Sequence, residues 1–332
     1  MLAFRTWQVS KVIINQVDAA AALVFWRSQD DARIFLHPQV LTPLCAQVDW
    51  WLATWDGKPM CLWPVCHSKE GRLGLPELSQ YVGPLWHDAL ARKKAHRQWS
   101  IKHSVQRAMM ELLLERYKQI VFELPPGTRD VRVLQWFESD IGRPVNVTIE
   151  CRHTAIITRP ALLLDDSLES ILLAGFSRNR RRDVRDSQAN GYREWTNPEP
   201  AALYELYSEL LGGKHDGDKA QRRKHDVMTL VGLAQGGFGR VIAYRDASGL
   251  PASFALLLAS KRTALPLLLA SSPGARSEGL QAVLMLQSML RSFEDGVNTF
   301  DFAGANSVIG AEEKHRYGAC ADMYFRVAVE SK

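Results

Sequence analysis

Residues 251–302 read PASFALLLASKRTALPLLLASSPGARSEGLQAVLMLQSMLRSFEDGVNTFDF. The apolar runs at 251–260 and 263–270 are short and almost unbroken, as buried strands are. The segment at 278–295 carries its apolar residues at helical spacing, and NTFDF at 298–302 returns to an extended pattern. A further strand at 239–245 joins the first run through Asp246-Ala247-Ser248-Gly249, a turn sequence. Strands interleaved with a long helix make this a mixed α/β chain.

The same logic runs upstream. VIINQV at 12–17 reads as a strand, and Asp18 is placed to cap the helix that follows. Residues 48–55 and 59–66 flank Asp56-Gly57-Lys58, a strong hairpin signal. Residues 89–118 read as one long helix with Trp99, Met109, Leu112 and Leu113 on its apolar face, and QIVFEL at 119–124 follows as a strand. A long strand spans 145–158, helical stretches occupy about 167–190 and 200–211, and a strand at 321–329 closes the chain. Each half thus orders helices, a hairpin, a long helix and a strand. That order predicts two related α/β domains packed side by side, 1–150 and 151–332, each a mixed, mostly antiparallel sheet flanked by helices.

Composition narrows the function classes. Of the 332 residues 46% are hydrophobic and 23% charged, an ordinary globular balance. The net charge of +5 divides into 18 basic minus 15 acidic residues up to Glu150 and 23 minus 21 after it. So mild and even an excess argues against a dedicated nucleic-acid reader. Five cysteines without a CxxC pair argue against a disulfide framework or zinc ribbon and favour a reducing cytoplasm. No signal peptide or membrane-length apolar run is visible, and His87, His96 and His103 lack metal-ligand spacing, so no metal is expected.

Three segments carry candidate chemistry. In Ser177–Arg185, Arg178, Arg181, Arg182 and Arg185 fall on one helical stripe, while Arg180 points elsewhere. Guanidinium forks suit phosphate; the plain alternative is a solvated helix face. In Phe300–Gly318, Asp301 ends a strand and a glycine-bearing loop follows, a favoured binding position in α/β sheets. Asp301 could orient or deprotonate an amine, Lys314 could hold a phosphate, and Gly304, Gly310 and Gly318 permit close backbone approach. In Leu78–His87, Tyr81 and Trp86 beside Gly83-Pro84 suit either a shallow groove or loop packing. Weaker signals are Arg276 and Gly279 at the start of the 278–295 helix, and Lys214–His225, which reads as a mobile polar loop in which His215 or His225 could act as a base.

These residues resemble the Fem-like acyltransferases of the GNAT superfamily. The Ser177…Arg182…Gly191 segment is similar to one family helix. The run from Ser271 through FDFAG to Lys314-His-Arg-Tyr317-Gly318 is similar to the second-domain signature, with Glu313 where an aromatic usually precedes the lysine. LSQYVGPLW is similar to a first-domain loop. The resemblance implies paired GNAT-like domains and transfer of an acyl or aminoacyl group to an amine. It implies acyl-CoA as co-substrate, its pyrophosphate held by a loop that Arg276–Ala282 half matches, with Gln281 at the second small position.

The resulting expectation is a cytoplasmic N-acyltransferase working from acyl-CoA on an amino sugar or a nucleotide- or lipid-linked envelope glycan precursor. Asp301 is its catalytic residue. Arg178, Arg181, Arg182, Lys314, Tyr317 and Tyr81 contact substrate or phosphate, and Arg276, Gly279, Gly304 and Asn306 form the donor loop. Competing expectations are a transferase using aminoacyl-tRNA, a non-catalytic nucleic-acid or protein-binding module built on Arg178–Arg185, and a GNAT relic without a donor site.

Overall fold

The computed structural model describes residues 6–9, 11–67, 73–142, 144–161, 167–210 and 217–331. The chain forms two compact units, Met1–Arg152 with Met323–Lys332, and His153–Asp322.

In the first unit, β1 (Thr6–Val9) and β2 (Val12–Val17) lead into α1 (Ala19–Arg27), whose N-terminal amide of Ala21 donates to the Asp18 carboxylate at 2.8 Å. A short helix, α2 (Pro38–Leu41), precedes β3 (Gln47–Trp55) and β4 (Lys58–His67). Asp56 and Gly57 both take positive φ, 48° and 74°, so the two-residue turn matches the strand twist and sets the register Trp55↔Lys58. With β5 (Leu85–Trp86) these strands form an antiparallel sheet in the order β1-β2-β3-β4-β5. Helix α3 (Ala95–Arg116) buries Ile101, Val105, Met109, Leu112 and Leu113 in a core with Trp51, Trp63 and Phe122. Removing each such side chain from water contributes roughly 1.5–3 kcal/mol. The helix is shorter than the 89–118 expected from sequence, and Trp99 leaves its apolar face: it is 39% exposed and stacks on His103. After β6 (Gln119–Leu124) come α4 (Arg132–Gln135), α5 (Phe137–Ile141) and β7 (Val145–Thr158), whose residues from His153 onward belong to the second unit.

In the second unit the stretch read as one helix over 167–190 is two, α6 (Leu168–Gly175) and α7 (Arg178–Gln188). Phe176 and Ser177 are extended between them, and the Ser177 hydroxyl accepts from the Arg180 amide at 3.4 Å to start the second helix. Next come β8 (Arg193–Glu194), α8 (Pro200–Leu210) and α9 (Asp218–Leu233). The polar loop expected over 214–225 is therefore helical from Asp218, with Lys219, Arg222, Lys224 and His225 exposed and Arg223 half-buried; Lys214 and His215 lie outside the described residues. Strands β9 (Gly239–Arg245), β10 (Pro251–Ala259) and β11 (Thr263–Ser271) form an antiparallel meander. Helices α10 (Pro273–Ser277) and α11 (Leu280–Glu294) carry the chain to β12 (Thr299–Asp301), which pairs parallel with β11. A parallel pair needs such a crossover, because a tight turn cannot reverse the chain twice. Helix α11 is buried over most of its length against Leu257, Phe300, Phe176 and Tyr317. The sheet order is β7-β12-β11-β10-β9-β8. Helix α12 (Val308–His315), capped by Ser307, narrows the loop expected after Asp301, and β13 (Cys320–Ser331) ends the chain.

Strand β13 pairs antiparallel with β6, from Phe325↔Leu124 to Glu330↔Gln119. Its ladder groups Met323–Lys332 with the first unit, whereas a division at Glu150 leaves them with the second.

Candidate active site

The end of β12 organises one corner of the second unit. Asp301 is 1% exposed, and its Oδ1 accepts from the Thr154 hydroxyl at 2.6 Å and from the Ala303 amide at 2.9 Å. Thr154 Oγ1 in turn accepts from the Gly304 amide at 3.0 Å. These bonds hold Ala303 at φ 56°, a left-handed conformation that costs a side-chain-bearing residue about 1–2 kcal/mol. The Phe302 and Ala305 amides donate to the Ala155 and His153 carbonyls, and Asn306 Oδ1 accepts from the His153 amide at 2.8 Å. The amides of residues 302, 304 and 305 and the Asn306 side chain thus fasten this loop to β7, while the Ala303 amide bonds Asp301 on β12. Gly304 and Asn306, expected in the donor loop, make these internal bonds.

Lys314 comes back to the same corner from α12. Its Nζ donates to the Phe302 carbonyl at 3.1 Å. Burial pulls its ammonium below the usual lysine range, and the Asp301 carboxylate acts in the opposite sense. Tyr317 is 3% exposed, with its ring stacked on Phe302 and edge-on to Phe176. Burial pushes its phenol well above the usual tyrosine range, against the pull of Arg180. Gly318, at φ 81°, passes so close to the backbone of Gly175 that a Cβ would lie 2.8 Å from its carbonyl oxygen. Its close approach is to α6 rather than to a ligand.

Helix α7 turns Arg180 away from its other arginines. Arg178, Arg181, Arg182 and Arg185 are exposed; Arg181 reaches the Ala174 carbonyl at 3.5 Å, and Arg182 lies 4.0 Å from Asp186. Arg180 turns inward. It donates to Asp183 at 2.8 Å and to both oxygens of Glu313, and its guanidinium lies 5.4 Å from the Tyr317 ring centroid. Burial opposes its charge, but Tyr317, Glu313 and Asp183 outweigh that and hold its pKa up. Glu313, where the family usually has an aromatic, therefore has a partner in this chain. Arg180, Glu313, Asp183 and Thr154 are the site residues that sequence reasoning missed. Asp183 at i+3 from Arg180 was the only local clue.

The stretch between β11 and α11 forms a second corner. Arg276 lines a cavity of about 390 Å³ together with Glu209, Leu210, Ser271, Pro273 and Ser277. Gly279 starts α11 at φ 79°, and a Cβ there would sit 2.6 Å from that of Asp183, so this glycine admits helix α7. The Glu278 carboxylate accepts from the Tyr192 hydroxyl at 2.7 Å and the Asn190 amide at 3.0 Å.

Tyr81 belongs to the first unit. It is buried at φ 58°, its amide donates to Glu123 Oε2 at 2.8 Å, and its ring is edge-on to Tyr324. The second unit thus brings together Asp301, Lys314, Tyr317 and Arg180, while Tyr81 is part of a separate arrangement. Among the described residues no cluster of three His, Cys, Asp or Glu is placed to hold a metal ion, and no helix is long and apolar enough to cross a membrane.

This architecture, a parallel β11–α11–β12 crossover beside an antiparallel meander, defines the class. Residues 176–316 match the family model described as the acetyltransferase (GNAT) domain. Over the whole chain the fold is Fem-like: it superimposes on the crystal structure of FemX with a TM-score of 0.64 at 12% identity, covering 94% of this chain and 96% of that one. A conserved protein of unknown function from Bacteroides thetaiotaomicron gives a TM-score of 0.58 at 11% identity over 100% of both chains. The structure of L-PGS from Bacillus licheniformis gives 0.53 at 11% identity, over 96% and 93%. No curated protein matches the sequence. Residues 176–316 therefore match a GNAT acetyltransferase domain, and the fold of the chain is Fem-like.

Proposed function

We propose that the second unit is an N-acyltransferase that moves an acyl group from acyl-CoA to an amine of an amino sugar or cell-envelope glycan precursor. The observation that carries this reading is an overlap: the 176–316 span of the GNAT domain encloses Arg180, Arg276, Gly279, Asp301 and Lys314. In the reaction the acceptor nitrogen attacks the thioester carbonyl, the C–S bond breaks, and the proton lost by the amine is taken up by the departing thiolate, so that CoA leaves as its thiol. Such a step gains chiefly from alignment and from charge placed where the oxyanion develops. Lys314 supplies that charge, or holds a phosphate, from a half-buried position where an ammonium acts more strongly than in water. Asp301 is a positioning residue, since its Oδ1 is occupied by Thr154 and Ala303 and its effect reaches the acceptor through the turn it holds. Arg276 and the start of α11 face the donor phosphates, with Arg178, Arg181 and Arg182 as outer contacts. Such a donor places the protein in the cytoplasm.

A second reading takes its support from the exposed arginine stripe of α7, which suits a polyphosphate backbone: the donor is then an aminoacyl-tRNA. One experiment separates the two. Acetyl-CoA is expected to raise the melting temperature and to release free thiol when amino sugars are added. Lys314→Ala and Arg181→Ala are expected to raise the apparent KM for the donor in a salt-sensitive way. Stabilisation by aminoacyl-tRNA alone moves the assignment to the second reading, and absence of both responses overturns acyl transfer.

A further inference from the structure

A cavity of about 540 Å³ lies wholly within the first unit. One wall is α3, where Gln98, Lys102 and Gln106 recur every four residues and so share a face. The facing wall is Tyr81, Trp86 and the loop 125–130. None of these residues is part of the corner around Asp301, so a ligand site here is independent of the acyl-transfer reading.

The polar groups of this cavity are unevenly matched. Gln106 is only 9% exposed, and its amide makes no hydrogen bond among the described residues. Its side chain borders the cavity, where the amide is available to a ligand or water. Lys102, one helical turn away, has no ion pair among the described residues; its Nζ lies 5.7 Å from the centroid of the Trp86 ring. Arg33 is largely enclosed and reaches Asp31 only at 3.9 Å. The acids nearby are engaged: Asp130 accepts from Arg132 at 2.6, 2.9 and 3.0 Å, and Asp88 accepts from the Asp30 amide at 2.5 Å. Three cations, Arg33, Lys102 and Arg129, and three acids, Asp31, Asp88 and Asp130, line this aromatic-walled space; because Asp130 is balanced by Arg132 from outside the lining, positive charge is in excess by one.

We propose that this cavity is a binding site for a small organic anion, a carboxylate or phosphate carried on a flat ring. The Lys102 ammonium and the Arg33 guanidinium face the anionic group, and the Gln106 amide donates to it. Trp86 offers its face to the ring, whether that ring is an aromatic or a sugar. The volume lies within the range of small-molecule sites, roughly 300–1,000 Å³. Burial already pulls the Lys102 ammonium below the usual lysine range, so an anion beside it would restore its charge.

The test uses the full chain with two probes and their neutral counterparts: phenylacetate against phenylacetamide, and glucose 6-phosphate against glucose. Calorimetric titration, with tryptophan fluorescence reporting on Trp86 and Trp99, is expected to show saturable binding of at least one anion. The matching neutral compound should bind about tenfold more weakly or worse. A response to phenylacetate alone assigns a ring carboxylate, and a response to glucose 6-phosphate alone assigns a sugar phosphate. Lys102→Met and Gln106→Leu, checked for native circular dichroism, should each weaken binding by about tenfold. The proposal is overturned if neither anion saturates at millimolar concentration, if the neutral compounds bind as well, or if both folded variants bind like the parent. The comparison of charged with neutral probes needs no variant, so it decides the matter even if the substitutions disturb folding.

Discussion

Each unit buries a carboxylate, and each carboxylate accepts the amide of a non-glycine residue in the left-handed region. In the second unit Asp301 accepts from Ala303 at φ 56°; in the first Glu123 accepts from Tyr81 at φ 58°. The resemblance ends with the remaining partners. Asp301 also receives the Thr154 hydroxyl at 2.6 Å and feels the Lys314 ammonium, whereas Glu123 feels Arg326 and Arg152, the latter at 4.0 Å, without these outweighing its burial. Asp301 thus organises a loop three residues long, within hydrogen-bond reach of a half-buried cation. Glu123 ties a distant loop to β6 and carries the cost of its own burial, which raises its pKa above the usual glutamate value of 4.5. Strain held in place by a saturated acid marks a positioned site, and strain held by a poorly compensated acid marks a structural clasp.

The largest expected effect separates these two roles. Asp301→Asn keeps the shape but replaces an anionic acceptor with a neutral one and brings an amide N–H₂ into a buried place. Hydrogen bonds to charged groups contribute about 1.5–3 kcal/mol, so a loss of that order is expected. It should appear as a fall in the denaturation midpoint with an unchanged slope. Glu123→Gln should cost clearly less at neutral pH, because it also removes the burden of a buried charge. Equal losses in the two variants would break the contrast.

The next effect concerns pH. A carboxyl whose pKa is higher folded than unfolded favours the folded state when protonated. Its contribution is fully present below about 4.5 and is lost as pH rises through the elevated folded value. Relative to Glu123→Gln, the parent should therefore lose stability on raising the pH through this interval and gain it on acidification. Paired melting curves across that range check the sign. A difference between the two proteins that does not vary with pH would show that Glu123 titrates normally and would remove it from the comparison.

Much of the frame around these corners was legible in sequence. Asp56-Gly57 forecast its hairpin because the turn residues carry their own backbone preference, and apolar runs marked β10 and β11 because burial on both faces leaves a local pattern. Asp301 was found because it ends one of these strands. Its partner Thr154 lies 147 residues away, and the Arg180–Glu313 pair spans 133; no local period reports contacts that only the fold creates. The stripe drawn through Arg178, Arg181, Arg182 and Arg185 had the right spacing. A helix wheel ranks faces by polarity, however, and an arginine that faces inward to two carboxylates looks the same as one facing water. The break at Phe176-Ser177 was hidden for a related reason, since Ser177 is tolerated inside a helix and declares itself only as a cap.

The smallest effect tests whether the strain at residue 303 has a purpose. Ala303→Gly removes a left-handed penalty of about 1–2 kcal/mol for a side-chain-bearing residue, while glycine loses more chain entropy on folding, by roughly 0.5–1 kcal/mol. The net change should therefore be a gain of about 0.5 kcal/mol, read as a slight rise in melting temperature. If the turn held by Asp301 and Thr154 positions the acceptor, the same substitution should lower kcat while leaving the donor KM unchanged, because the looser backbone samples other conformations between turnovers. A more stable variant with unimpaired turnover would place Ala303 with Tyr81, as a residue whose conformation serves packing alone.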